Sequence, residues 1–176
     1  MATDNAAQVF DLRFEHFDAN KDGRIDRSDF EQEANSLIRA FGADQDSPRA
    51  LALKNSYLAV YEYIVRKADA TSGVLRREEF VAASKAAITD RGGAGFGEVL
   101  APYAHACANL CDADGDGEIS QDEYSKWLTV IGVPKEATAE SYQAIDTDKD
   151  GKVSVEEFMA AIRSYVLGQS NIGMLG

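Results

Sequence analysis

Residues 112–123, Asp-Ala-Asp-Gly-Asp-Gly-Glu-Ile-Ser-Gln-Asp-Glu, constrain this chain more than any other stretch. Asp112, Asp114 and Asp116 stand at positions 1, 3 and 5 of a twelve-residue window, and Glu123 stands at position 12. Gly117 at position 6 takes a sharp bend that a side chain would disfavour. Glu118 at position 7 offers its backbone carbonyl, and Ser120 occupies position 9. Alternate residues point inward as such a loop curls, and the final glutamate closes the cage with two oxygens. A tight turn that gathers this many hard oxygens suits calcium, which takes about 6–8 of them at roughly 2.3–2.6 Å. The expectation is a helix-loop-helix calcium site.

Three further windows align with the first. Residues 146–157 match at every ligand position: Asp146, Asp148, Asp150, the Lys152 carbonyl, Ser154 and Glu157. Residues 18–29 supply Asp18, Asn20, Asp22, the Arg24 carbonyl and Asp26, with Gly23 at position 6. Position 12 there is Asp29 rather than glutamate. The remaining window is degenerate. Phe80 follows Glu79 as Phe158 follows Glu157, which sets its register at 68–79. Gly73, Leu75 and Glu79 survive, but positions 1 and 3 are Ala68 and Ala70, and position 9 is Arg76. One carboxylate cannot replace the hydration shell of calcium, so this loop is expected to be silent.

Such units pair through a short antiparallel contact at position 8, which satisfies backbone groups that a lone loop would leave bare. The expected partners are Ile25 with Leu75, and Ile119 with Val153, making the silent loop a brace for the first. Apolar residues at helical spacing flank every loop, from Phe10, Phe14 and Phe17 to Phe158, Ala161, Ile162 and Val166. Ser47-Pro48 predicts a helix start, and a broad apolar face from Leu51 through Leu58 to Val65 follows it. Pro134 is expected to open another helix. The glycine-rich run 91–97 separates the halves by breaking the helix. The expected organisation is an N-terminal pair over 1–91, a C-terminal pair over 97–168 and an apolar tail over 169–176. Ile172, Met174 and Leu175 of that tail are expected to tuck between the halves. The fold class is all-α, with two pairs packed into one globule.

The net charge of −12 over 176 residues equals in number the acidic side chains at the ligand positions of the three active loops. Acidity is therefore concentrated where like charges repel, and a divalent ion offsets that repulsion. Such a balance argues against nucleic acid, which needs a basic footprint. No apolar run approaches the length that spans a bilayer, and no basic amphipathic run suits a membrane surface. The first residues lack a signal-peptide pattern, and Ala2 excludes N-myristoylation. A cytoplasmic, monomeric protein is expected. Cys107 and Cys111, four apart on a helix, read as small core residues. His16 reads as a surface helix residue and His105 as packed or half exposed. The chain has no acid-base pair or nucleophile constellation, so no enzyme is expected.

With loops 1, 3 and 4 active and loop 2 degenerate, the chain resembles the sarcoplasmic calcium-binding proteins, and more closely their bacterial calerythrin-like branch. Asp29, Lys54-Asn55, Trp127-Leu128-Thr129 and Leu175-Gly176 carry the closer likeness. The resemblance implies four EF-hands, three divalent ions, no catalysis and a bacterial cytosolic origin. It departs at loop 2, which has no acid at positions 1, 3 or 5. The shorter Asp29 lowers the reach of loop 1 toward the six-coordinate geometry of magnesium, so Mg2+ is expected to compete there. Three methionines, only Met159 of them in a helix, favour a calcium buffer or transporter over a sensor with a Met-rich groove for a target protein. A remote alternative is a calcium-triggered photoprotein, which shares the loop pattern but uses a cavity rich in His, Trp and Tyr.

Overall fold

The computed structural model describes residues 10–11, 13–89 and 94–166. Helical residues at 10–11 and 13–17 form α1. Then follow β1 (Arg24–Ile25), α2 (Arg27–Ala40), α3 (Pro48–Lys67), β2 (Leu75–Arg76), α4 (Arg77–Thr89) and α5 (Ala94–Cys111). The second half continues with β3 (Glu118–Ile119), α6 (Gln121–Val130), a 3-10 turn (Lys135–Ala137), α7 (Thr138–Ile145), β4 (Val153–Ser154) and α8 (Val155–Val166). All four strands are two residues long, because each is only the position-8 contact of a loop.

Those contacts pair as the sequence implies. β1 and β2 are antiparallel with Ile25 opposite Leu75, and β3 and β4 are antiparallel with Ile119 opposite Val153. All four side chains are fully buried. Helix starts follow local chemistry: Ser47 caps α3 by accepting from the Ala50 amide, with Pro48 in the first turn. Asp26 and Ser120 form reciprocal capping boxes with Asp29 and Glu123. The last residue of a binding loop is thus also the third residue of the helix that leaves it.

Aromatic side chains fill the space behind each pair of loops. Phe17 stacks on Phe30 with centroids 4.6 Å apart, and Phe14 meets Phe80 edge-on. In the second half Trp127 and Tyr124 both pack edge-on against Phe158. The two groups belong to one buried cluster running from Phe14 to Val166. α3 packs on α5, α5 on α8, and α2 on α6, so the core is continuous across the halves.

Four expectations need amendment. α5 begins at Ala94, so Gly95 and Gly97 are helical rather than part of a break. Pro134 precedes a 3-10 turn, and α7 starts only at Thr138. Leu51 is 45% exposed, because it lies on the solvent side of α3 while Ala50 and Leu53 face inward. His16 is not a surface residue: its side chain is 8% exposed, and its Nε2 lies 3.2 Å from the buried carboxylate of Glu33. Glu33 also accepts a 2.8 Å bond from the Tyr57 hydroxyl, so α1, α2 and α3 share an internal polar contact. His105 is exposed beside Asn109. Ile172, Met174 and Leu175 lie outside the described residues.

Candidate metal centres

In loop 3 the carboxylate oxygens of Asp112, Asp114 and Asp116 lie within 4.8 Å of one another. Two ligands of one calcium ion stand at most about 5.2 Å apart, twice the longest usual bond, so the cluster has the right span. Asp112 is held by the amides of Gly115, Asp116 and Gly117 at 2.8–3.1 Å. Asp116 accepts from the Glu118 amide at 2.9 Å. Gly117 has φ +84°, a left-handed conformation that the bend requires and that other residues rarely adopt.

Loop 4 brings Asp146, Asp148 and Glu157 equally close. Asp150, at position 5, accepts from the Lys152 amide. Asp146 Oδ2 accepts from the Gly151 amide at 3.0 Å, whereas its Oδ1 is buried without a hydrogen-bond partner. A buried charged acceptor left unpaired is costly. A hard cation inside the loop satisfies it, so the residues present fit calcium. The Lys152 ammonium lies 2.8 Å from the Glu118 carboxylate, joining the position-7 residues of the paired loops. Tyr142 adds a second tie through its hydroxyl, which donates to the Ile119 carbonyl at 2.9 Å.

Position 12 acts alike in the three acid-rich loops. One oxygen of Glu123 accepts from the Ser120 amide and the other from the Ala113 amide, at 2.8 and 2.9 Å. Glu157 holds the Ser154 and Thr147 amides at 3.0 and 2.8 Å. Asp29 holds the Asp26 amide at 2.9 Å and, one position later than the glutamates reach, the Asn20 amide at 3.3 Å. In each case the carboxylate staples the start of the loop to its end. The electrostatics diverge. The Thr147 hydroxyl, followed by the Ser154 and Thr147 amides, holds the half-buried Glu157 carboxyl down at about 2. Burial pushes the Asp29 carboxyl up, because Asp29 is almost wholly enclosed.

Loop 1 is knitted by the same local bonds. Asp18 accepts from the Asp22 and Gly23 amides, Asn20 from the Asp22 amide, and Asp22 from the Arg24 amide. Its acids do not form a third cluster as tight as those of loops 3 and 4 among the described residues. Its four acids are placed differently: position 3 is Asn20, an acid stands at position 9 instead, and position 12 is the shorter Asp29. Loop 2 is closed by the protein itself. The Tyr61 hydroxyl donates to the Gly73 carbonyl at 2.5 Å, and among the described residues Glu79 keeps only its bond to the Arg76 amide. No motif within the loop announces Tyr61, which comes from the middle of α3.

Paired helix-loop-helix units with acid-rich, glycine-bent loops define the EF-hand class of calcium-binding protein. The EF-hand domain pair family matches residues 109–163, and the EF hand family matches residues 10–32. Calerythrin from Saccharopolyspora erythraea is 33% identical over the whole of both chains. A calcium-binding protein from Streptomyces coelicolor, whose structure concerns prokaryotic calcium-mediated regulation, superposes with a TM-score of 0.80. It is 32% identical, covering 94% of this chain and 99% of its own. The photoprotein berovin from Beroe abyssicola shares the fold at a TM-score of 0.72 and 23% identity, over 90% of this chain and 85% of its own. The chain belongs to the calerythrin-like family of EF-hand calcium-binding proteins. No helix among the described residues is long and apolar enough to cross a membrane.

Proposed function

We propose that this protein is a cytosolic calcium buffer holding three ions, one each in loops 1, 3 and 4. The single observation that carries this reading is the continuous core between the halves. A sensor presents an apolar groove to its target when calcium binds. Here the inner faces of both pairs are spent on each other, and Leu51 is the one large apolar side chain exposed among the described residues. The ligands assigned are the eighteen residues of the three acid-rich loops, with Arg24, Glu118 and Lys152 acting through backbone carbonyls. The pairing of loops 1 with 2 and 3 with 4 supports a division into an N-terminal pair over 1–91 and a C-terminal pair over 97–168. Loop 1 is the site where magnesium competes, because Asp29 is short and buried.

The second reading is a sensor, favoured by the regulatory role named for the Streptomyces coelicolor relative. One experiment separates the two. Calcium is titrated into the ion-free protein in a calorimeter, and an apolar dye is followed in parallel. Three ions with unchanged or falling dye fluorescence support the buffer; rising fluorescence on saturation overturns it in favour of the sensor. Neither reading gives the protein a catalytic role, and the photoprotein likeness extends to the fold alone.

A further inference from the structure

Arg13 is 3% exposed, belongs to none of the acid-rich loops and pairs with no acidic side chain among the described residues. Its guanidinium lies between two rings, 5.0 Å from the centroids of Phe10 and Tyr165. Nε and Nη2 have no hydrogen-bond partner. These two nitrogens share one edge of the guanidinium, the edge that grips a carboxylate or similar anion through two parallel bonds. The cavity that Arg13 lines has a volume of about 20 Å³ and is otherwise walled mainly by Phe17, Val60, Phe80, Phe96 and Leu100. Two more residues with hydroxyls line it: Tyr103, which donates to the Tyr57 hydroxyl, and Ser84, whose buried hydroxyl is also without a partner.

A buried cation in a mostly apolar wall is unfavourable, because burial removes its hydration and no acidic side chain among the described residues offsets the charge. Burial accordingly pushes the guanidinium down to about 10, with the Tyr165 and Tyr103 phenols opposing the shift. The ring faces and the Tyr165 hydroxyl soften this cost but supply no counter-charge. A water molecule could fill the volume, yet it would leave the charge unbalanced. We infer that this cavity is an interior site for one small monovalent anion, chloride or a formate-sized carboxylate, held by Arg13 Nε and Nη2 and by Ser84 Oγ. The walls come from α1, α3, α4, α5 and α8, so the bound anion sits where the two halves meet. Its binding is distinct from that of calcium, since neither Arg13 nor Ser84 belongs to a loop.

The test uses the calcium-loaded full chain. Its melting midpoint is measured as sodium chloride, then sodium formate, replaces sodium gluconate at constant ionic strength. Gluconate is too large for the cavity. A saturable rise with either small anion is expected, absent in Arg13→Met and weakened several-fold in Ser84→Ala. The anion with the lower half-saturation concentration identifies the ligand class. Crystals grown with sodium bromide should show one buried anomalous peak beside the Nε–Nη2 edge. Equal melting in all three salts with no such peak overturns the proposal, as does an undiminished response in Arg13→Met. If Arg13→Met does not fold, the bromide peak and the Ser84→Ala response decide alone.

Discussion

Asp29 Oδ1 accepts from the Asn20 amide, at position 3 of its loop, at 3.3 Å, whereas Glu157 Oε1 reaches back one residue further, to the Thr147 amide at position 2, at 2.8 Å. One methylene separates the two side chains. A full bidentate ligand favours calcium, which accepts higher coordination, over octahedral magnesium. Asp29→Glu should therefore raise calcium-over-magnesium selectivity at loop 1 on the order of tenfold, about 1.4 kcal/mol. Calorimetric calcium titrations with and without millimolar magnesium check this. Equal magnesium competition at all three sites in the unaltered protein would contradict the premise.

Chelation should destabilise the whole molecule rather than the loops alone. Each bound ion contributes about 4 kcal/mol when free calcium is a thousandfold above its Kd. Without the ion, the acids of loops 3 and 4 repel at close range, and Asp146 Oδ1 stays unpaired. Adding a calcium chelator should lower the melting midpoint by more than ten degrees and expand the hydrodynamic radius. Scanning calorimetry and light scattering read both.

Tyr61 ties α3 to loop 2. Removing its hydroxyl in Tyr61→Phe deletes the bond to the Gly73 carbonyl and should cost about 1 kcal/mol. Calcium stoichiometry should not change, whereas calcium affinity at loop 1 should fall slightly through the β1–β2 contact. Denaturant unfolding at saturating calcium gives the first number, and titration gives the others.

The Ile119–Val153 contact couples loops 3 and 4. Both side chains are fully buried, so Ile119→Ala should cost about 2–5 kcal/mol. The diagnostic outcome is loss of cooperativity between the two C-terminal sites. A calcium titration followed by Trp127 fluorescence should change from a steep curve to a shallow one, since Trp127 packs against Phe158 at the end of loop 4.

Burial, with the Glu33 carboxylate adding to it, pushes the Cys107 thiol far above its ordinary value of 9.0. The unfolded chain releases that proton near pH 9, while the native protein retains it. This contribution to stability is intact below pH 9 and is lost as pH rises above it. Native, calcium-loaded protein should resist alkylation at pH 8.5, and both cysteines should react once denaturant is added. Mass spectrometry after a timed iodoacetamide pulse checks this.

The acid-rich loops were legible in the sequence because a binding loop is a local object. Twelve consecutive residues carry the expected ligands, the bend and the first turn of the next helix, so Asp112–Glu123 and Asp146–Glu157 could be read without any partner. The pairings Ile25–Leu75 and Ile119–Val153 were legible too, since position 8 is fixed once a loop is aligned. The glycine run misled because Gly95 and Gly97 are weak helix formers in isolation, yet α5 packs against α3 and α8, and that packing outweighs their propensity.

Other features had no local signal. His16 meets Glu33 across 17 residues, and Tyr61 closes loop 2 from 12 residues away. Arg13 of α1 and Ser84 of α4 come to share one cavity with walls from both halves. By itself the sequence determined which loops are equipped for calcium, because short-range spacing sets the donor atoms. Only the tertiary structure decided what ties the second loop to α3, how the halves close on each other and where, among the described residues, a cation is left buried without a counter-charge, because these depend on packing between elements far apart in the chain.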